Sequence, residues 1–295
     1  MVNDSSRLSF YSEIRKNKIY SFLMIVIVFA LLLALGFVIA FIYEEFFYFI
    51  LIITMIISFS YILIGYYKSD KIALASVNAK PADRVRHRQL YNSVEGLTLA
   101  SGMPMPRVYV MEHPQINAFA SGRNPENAVI CVTTGALEKL NKQELEGVLA
   151  HELSHVANYD IRFMTITAVL VGMIAIISQI FLRSLWFSSG RDREGKGNAI
   201  IMVIGIVLAI LAPVMASLVQ LAISRKREYS ADASAVKFMR TPSGLIGALE
   251  KIKSNSEMKV SGAVAPLFLA KPSKAAELFS THPPLEQRIS RLKRM

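Results

Sequence analysis

The stretch Asn141-Lys-Gln-Glu-Leu-Glu-Gly-Val-Leu-Ala-His-Glu-Leu-Ser-His155 lies at the centre of the predicted fold. Asn141 and Glu144 have the spacing of a capping box, which predicts the start of a helix. Apolar residues at helical spacing then predict a buried face: Leu145, Val148, Leu149 and Leu153. On this helix His151 and His155 lie one turn apart on one face. The sequence therefore predicts a packed helix with a His-Glu-x-x-His motif, an arrangement that holds zinc beside a glutamate base.

The apolar content is too high for an ordinary soluble enzyme. The chain has 295 residues, is 53% hydrophobic and has a mean hydropathy of +0.40. Four stretches approach the ~20 residues that cross a ~30 Å hydrocarbon core: 19–43, 46–67, 163–182 and 199–223. The first is longer than the apolar core of a signal peptide and lacks a small-residue cleavage pattern before Glu44, so we expect an uncleaved anchor. These features predict a mostly α membrane protein with four transmembrane helices.

The four spans divide the chain into alternating membrane and soluble segments. We predict four segments: a tail and hairpin (1–67), a soluble part with the motif helix (68–162), a second hairpin (163–223) and a second soluble part (224–295). In the soluble parts we expect a helix over 82–101 ending at Gly102, three strands, a helix over 225–253, a loop to about residue 280 and a final helix from Pro283. The strands, separated by turn residues, predict a small antiparallel sheet: Arg107 to Met111, Ile116 to Ala120 and Ala128 to Thr133.

Charge predicts the orientation in the membrane. Lysines and arginines flank the first hairpin on both sides, whereas its connection holds Glu44 and Glu45 and no basic residue, so both ends are expected in the cytoplasm. The basic loop 183–198 conflicts with this orientation. Either the first hairpin dominates, which we favour, or the second hairpin is not a pair of ordinary spans. The net charge of +11 is explained by membrane flanks, and since no nucleic-acid-binding motif is present we expect no such partner. The single cysteine, Cys131, excludes an intrachain disulfide and suits a reducing compartment.

A third zinc ligand has to come from elsewhere in the chain. Asn158 and Ile161 occupy the positions where metzincins have Gly and a third His, which excludes that class. Glu228 and Asp232, one turn apart after the fourth span, fit either a ligand with a carboxylate supporting a ligating His, or a solvated charge cluster. The ligand interpretation is favoured because His155 lies eight residues before the third span and Glu228 five after the fourth. His87 and His113 are expected to be ordinary surface side chains.

Six motifs along nearly the whole chain carry a resemblance to a known family. They are the N-terminal hydrophobic hairpin, Asn117-Ala-Phe-Ala-Ser-Gly122, Thr133-Thr-Gly-Ala-Leu137, His151-Glu-Leu-Ser-His155, Arg227-Glu-Tyr-Ser-Ala-Asp232 and Thr281-His-Pro-Pro-Leu-Glu-Gln-Arg288. With these motifs the chain resembles the HtpX-type membrane heat-shock metalloproteases, relatives of the type I CAAX prenyl proteases. The resemblance implies a cytosolic α+β gluzincin-type domain with one Zn²⁺ per chain.

The resemblance also implies residue roles. Zinc would be held by His151, His155 and Glu228, with Glu152 as general base, Asp232 behind a ligating histidine and His282 donating to the oxyanion. The substrate would pair with an edge strand, whose residues are Asn117, Ala118, Phe119 and Ala120. Arg288 either supports His282 or belongs to a basic C-terminal face; the second interpretation is favoured.

We therefore expect a zinc endopeptidase of membrane-protein quality control and stress response. It would cleave misfolded or damaged membrane proteins at the cytosolic face of a bacterial inner membrane, in contact with lipids and with other quality-control proteases as possible partners. Two alternatives stay open. Intramembrane proteolysis is disfavoured because residues 151–160 are too polar for a span. A scaffold or chaperone with structural zinc is disfavoured because closed zinc sites usually have four protein ligands.

Overall fold

The computed structural model describes six parts of the chain: residues 10–42, 44–170, 172, 174, 225–254 and 283–295. The predicted fourth span, half of the predicted third span, the loop before residue 280 and His282 lie outside these residues. The described elements give the framework of the site and of the first membrane hairpin.

Two long helices and a short 3₁₀ turn open the described chain: α1 (Phe10–Ile42), Glu44–Phe46 and α2 (Phe47–Tyr67). Among the described residues, Ile14–Phe41 and Phe47–Tyr67 are the two helical segments long and apolar enough to cross a membrane. At ~1.5 Å per residue, α2 extends about 31 Å, which matches a hydrocarbon core. Large apolar side chains face outward, such as Phe22 and Phe49, which are 63% and 64% exposed. Exposed apolar surface of this kind suits lipid.

A small mixed sheet and two helices follow the hairpin: α3 (Ser69–Ser76), β1 (Lys80–Pro81), α4 (Arg88–Ser101), β2 (Arg107–Met111), β3 (Ala118–Ser121) and β4 (Val129–Thr133). The described strands have the order β1-β2-β4-β3, with β2 and β4 parallel and the other two pairs antiparallel. The prediction of an antiparallel sheet was wrong, because β4 inserts between β2 and β3. All five residues of β4 are buried, as is typical of an interior strand. This order makes β3 an edge strand.

The remaining described helices surround the motif helix: α5 (Thr134–Lys139), α6 (Lys142–Ala157), α7 (Arg225–Met239), α8 (Ser243–Ser254) and α9 (Leu285–Leu292). Helix α6 contacts α4, α7, α8 and β3 and carries much of the apolar core. It approaches α8 at backbone distance, because a Cβ on Gly147 would lie 2.4 Å from the Leu245 nitrogen and one on Gly244 would lie 2.2 Å from the Gln143 oxygen. This close packing fixes α6 between its neighbours.

The structure confirms one predicted helix end and contradicts one predicted helix. The predicted end of α4 is confirmed, since Gly102 caps it in the left-handed region with φ 70, although the helix begins at Arg88. The single helix predicted over 225–253 was wrong, because the chain breaks into α7 and α8. Arg240 adopts φ 58 and Pro242 follows, and proline disfavours helical geometry in the residue before it.

A turn follows α6 immediately. Tyr159 has a positive φ of 59, and residues 160–170 then form a new helical run. Phe163 and Ile166 of this run pack in one cluster with Met24 of α1. The described start of the predicted third span therefore contacts the first membrane helix directly beside the motif helix.

Candidate metal centre

The local sequence holds α6 in register for its two histidines. The predicted capping box is confirmed: the Asn141 side chain accepts from the Glu144 main-chain nitrogen at 2.9 Å, and the Glu144 carboxylate accepts from the Asn141 nitrogen at 2.8 Å. The helix then places His151 and His155 on one buried face, at 1% and 4% exposure. Their ring centroids lie 4.8 Å apart. Two imidazoles one turn apart thus face the same point.

Three side chains converge at that point. One donor atom each from His151, His155 and Glu228 lie within 4.8 Å of one another, and all three residues are buried. The two Nε2 atoms are 3.3 Å apart, and the Glu228 oxygens lie 3.5 and 3.6 Å from the Nε2 atoms of His151 and His155. Tetrahedral ligands at the usual 2.0–2.1 Å from zinc would lie about 3.3–3.4 Å from each other. Both the donor types and their spacing therefore fit a zinc ion.

Asp232 contacts the Nδ1 atom of His151 and is itself held by Arg288. His151 Nδ1 lies 3.0 Å from Asp232 Oδ1, so the ring donates through Nδ1 and keeps the Nε2 lone pair for a metal. Arg288 donates to both oxygens of the same carboxylate, from Nε at 2.9 Å and from Nη2 at 2.6 Å. Its Nη1 lies 3.3 Å from Glu228 Oε2. Arg288 is fully buried, so the preferred expectation of a basic C-terminal face was wrong.

The pKa values of His151 and Arg288 are raised, whereas that of Asp232 is lowered. Burial and the Arg288 charge act to lower the pKa of His151, but hydrogen bonds to Asp232 and Glu228 outweigh them and raise it to about 9. Burial acts to raise the pKa of Asp232, yet the Arg288 charge and the His151 contact bring it below its ordinary value. The pKa of Arg288 is raised by the two carboxylates despite its burial. Asp232 and Arg288 are therefore an ion pair, and a metal ion would compete with a proton at His151.

His155 has its own carboxylate partner, which the sequence analysis did not identify. Asp160 Oδ2 lies 3.0 Å from His155 Nδ1, and both groups are buried. Asp160 Oδ1 accepts from the side-chain nitrogen of Asn17 at 2.6 Å, and Arg227 Nε lies 3.6 Å away. Each histidine of the motif thus donates its second ring nitrogen to a separate buried aspartate. Asp160 lies only five residues after His155, so the sequence places the two residues near each other. The turn at Tyr159 is what brings their side chains into contact.

Glu152 lies beside the donor cluster and bonds elsewhere. It is 3% exposed, and its Oε2 accepts from the Ala120 main-chain nitrogen at 2.8 Å. Burial raises its pKa, against the charges of His151 and His155, which lower it. The glutamate therefore bridges α6 and the edge strand β3 next to the three donors.

The predicted substrate strand lies at the sheet edge. Asn117, Ala118, Phe119 and Ala120 are all buried, at 0%, 1%, 0% and 6% exposure. The Thr133 nitrogen donates to the Asn117 oxygen at 3.1 Å, so by antiparallel alternation Ala118 and Ala120 point their main-chain groups away from β4. The Ala118 nitrogen donates to Asn117 Oδ1 at 3.0 Å, and the Ala120 nitrogen donates to Glu152. A role in binding substrate stays a prediction.

The other described histidines lie apart from the donor cluster. His87 and His113 are half-buried residues outside the helices and strands, and their Nδ1 atoms accept from the main-chain nitrogens of Asp83 and Gln115, at 3.0 and 3.2 Å. Neither belongs to the donor cluster. His282 lies outside the described residues, so its predicted contact with an oxyanion stays a prediction.

Comparison with known proteins identifies the class of this fold and site. The described fold resembles that of S. mikatae Ste24p, with a TM-score of 0.50, 22% sequence identity, and coverage of 94% of this chain and 65% of that one. The chain is a membrane-associated protease. More particularly, it belongs to peptidase family M48, whose family model matches residues 84–295.

Several relatives in that family are HtpX homologues. A protease HtpX homologue of Thermoanaerobacter pseudethanolicus is 48% identical over 237 residues, which cover 78% of this chain and 79% of the relative. One of Dictyoglomus turgidum is 41% identical over 292 residues, covering 97% and 95%. One of Streptococcus pyogenes serotype M28 is 40% identical over 296 residues, covering 97% and 99%. The resemblance inferred from the six motifs is confirmed.

Proposed function

We propose that this chain is a zinc-dependent endopeptidase of the gluzincin type. The observation that carries the proposal is the set of three buried donors, His151, His155 and Glu228, with Glu152 beside them but bonded to Ala120. Among the described residues the cluster offers three ligands, whereas closed structural zinc sites usually have four. Three ligands with an adjacent carboxylate favour catalysis over a structural role.

The chemistry divides between the ion and the side chains. Zinc, when bound, supplies a Lewis acid that activates a water and polarises a peptide carbonyl. Glu152 can exchange its bond from Ala120 for that water, accept its proton and deliver the proton to the leaving amine. Asp232 and Asp160 fix the rings of His151 and His155 through their Nδ1 atoms. His282 is proposed as the oxyanion donor on the strength of its motif alone.

The edge strand is the proposed site of substrate pairing. An extended peptide added to β3 would lie against α6, because Glu152 already touches the strand at Ala120. Its carbonyl groups would then pass close to the donor cluster. Pairing has to release the Ala120 nitrogen from Glu152, and this release would free the carboxylate for its work as a base.

The proposed substrates are misfolded or damaged membrane proteins, cleaved at the cytosolic face of a multi-pass bacterial inner-membrane protein. The apolar hairpin supports a membrane location, and the basic residues at both ends of the hairpin support a cytosolic active site. The bacterial origin of the relatives supports the compartment. Lipids are then permanent neighbours, and other quality-control proteases are proposed partners.

The decisive experiment compares Glu152→Gln with the wild-type full chain in detergent, using an unfolded casein-type substrate and measuring bound zinc. Removing the general base should lower cleavage by ~10²–10⁴-fold, with zinc still bound, since Glu152 is not in the donor set. The matched control is Glu146→Gln, the same change on the same helix at a residue 3.9 Å from Lys142. Full cleavage by Glu152→Gln would contradict the proposed mechanism. Stoichiometric zinc without any cleavage by the wild type would favour a structural zinc instead.

A further inference from the structure

The first membrane helix reaches into the metal centre through one polar residue. Asn17 of α1 is 2% exposed, and its side-chain nitrogen donates to Asp160 Oδ1 at 2.6 Å and to the Asn158 main-chain oxygen at 3.0 Å. The other oxygen of Asp160 lies 3.0 Å from His155 Nδ1. A continuous set of hydrogen bonds therefore runs from the membrane helix to a metal donor.

The two oxygens of Asp160 have different partners, and this division sets the carboxylate's rotation. With Oδ1 held by Asn17, Oδ2 stays directed at His155 Nδ1. A carboxylate on Nδ1 fixes which ring nitrogen carries the proton and where the ring points, so Nε2 is left as the donor. Arg227 Nε lies 3.6 Å from Oδ1, so a positive charge also faces this oxygen.

The backbone at this point also depends on α1. Tyr159 is a non-glycine residue with φ 59, a strained conformation that persists only when its surroundings hold it. Lys18 of α1 places its ammonium 4.6 Å from the Tyr159 ring centroid. Asn17 bonds the residue before Tyr159 and the residue after it. Neighbouring residues of α1 thus contact the whole turn that returns Asp160 to His155.

We propose that Asn17 is a positioning residue for the metal centre, acting through Asp160 on His155. This inference rests on the proposed zinc site. It makes α1 a component of the catalytic centre as well as a membrane anchor: a change in how α1 docks alters the orientation of a metal donor. A buried amide that served only for anchoring would touch the turn without setting the ring.

The test measures zinc affinity by chelator competition on the full chain in detergent, in a Glu152→Gln background that prevents self-cleavage. Asn17→Leu keeps the number and branching of the side-chain heavy atoms and removes the donor. We expect zinc to bind ~3–10-fold more weakly, less than the ~10–100-fold typical of a group that touches the ligand directly. The visible absorption of the cobalt-substituted protein should also change, because the bands report ligand geometry. The matched control is Ser21→Ala, since Ser21 is equally buried one turn along α1 and donates to the Asn17 main-chain oxygen of its own helix.

A double-mutant cycle separates positioning from helix docking. Asp160→Ala alone should weaken zinc binding ~10–100-fold, and adding Asn17→Leu should then cost nothing further. Two results would overturn the proposal. One is that Asn17→Leu weakens zinc binding by the same factor with and without Asp160. The other is that Asn17→Leu leaves the zinc affinity and the cobalt spectrum unchanged when Asp160 is present. A wild-type chain that binds zinc no better than Glu228→Ala would instead overturn the zinc site, and with it the proposed function.

Discussion

Replacing Arg288 by Met should destabilise the protein more than any other single arginine change in its C-terminal helix. Arg288 is fully buried and donates twice to Asp232 while lying 3.3 Å from Glu228. Removing one partner of a buried pair leaves an uncompensated charge, which costs about 3–5 kcal/mol. For a domain of this size a cost of that order lowers the melting temperature by roughly 5–15 °C. Because Asp232 would also lose its fixed orientation beside His151, zinc should dissociate to chelators faster.

The assay is thermal unfolding of the zinc-loaded full chain in detergent, followed by chelator competition. Arg291→Met is the matched control: it makes the same change one turn away at an exposed guanidinium, 3.7 Å from the Tyr229 ring centroid, where stacking is worth only about 0.5–1 kcal/mol. Arg288→Met combined with Asp232→Asn should recover part of the loss, since both charges are then gone. An unchanged melting temperature and unchanged zinc retention in Arg288→Met would refute this account of the buried pair.

Three further predictions use the same protein. Glu228→Ala should lose zinc and cleavage together, whereas Asp232→Ala should weaken zinc binding ~10–100-fold; stoichiometric zinc in purified Glu228→Ala would end the ligand assignment. Burial raises the pKa of the Cys131 thiol to about 12, so at pH 8 only about one thiol in ten thousand is ionised. Alkylation of Cys131 should therefore become measurable only on unfolding or near pH 12. Rapid alkylation of the native chain at pH 8 would contradict this, because it would show that the thiol is accessible. Because the native Cys131 thiol should not react, introduced cysteines can test the topology in intact cells. A membrane-impermeant thiol reagent should label Glu45→Cys from outside and leave Lys237→Cys unlabelled. The reverse pattern would exclude a cytosolic location of the soluble parts.

Local features were predictable because short-range chemistry determines them. The capping box at Asn141 and Glu144, the helix end at Gly102 and the short last helix after Pro284 each follow from a few neighbouring residues. The convergence of His155 with Glu228 was also predictable, because both residues lie near the ends of apolar stretches that were predicted to return the chain to one side. The break between α7 and α8 could have been predicted from Pro242, but helical spacing over 225–253 masked it.

What could not be predicted depends on contacts between distant segments. Nothing in the three β-rich runs specifies that β4 lies between β2 and β3, because β3 and β4 are both buried along their whole length and their residues do not distinguish an edge strand from an interior one. Arg288 and Asn17 gave no local signal of their partners, which are 56 and 143 residues away in sequence. Charged and amide residues are usually exposed, so sequence reasoning placed Arg288 at the surface.

The partners of the buried acids, rather than their residue type, support the roles proposed for them. Asp232 is engaged by Arg288 and the Nδ1 of His151, and Asp160 by Asn17 and the Nδ1 of His155. A carboxylate already used in this way directs its charge at the ring and away from the metal position. Glu152 is turned towards the main chain of β3 at Ala120. Glu228 remains as the acid whose oxygens lie against both Nε2 atoms, which is why it is the ligand in our proposal. Because the donors come from α6 and α7, zinc binding would also contribute free energy to holding these separate parts of the chain together.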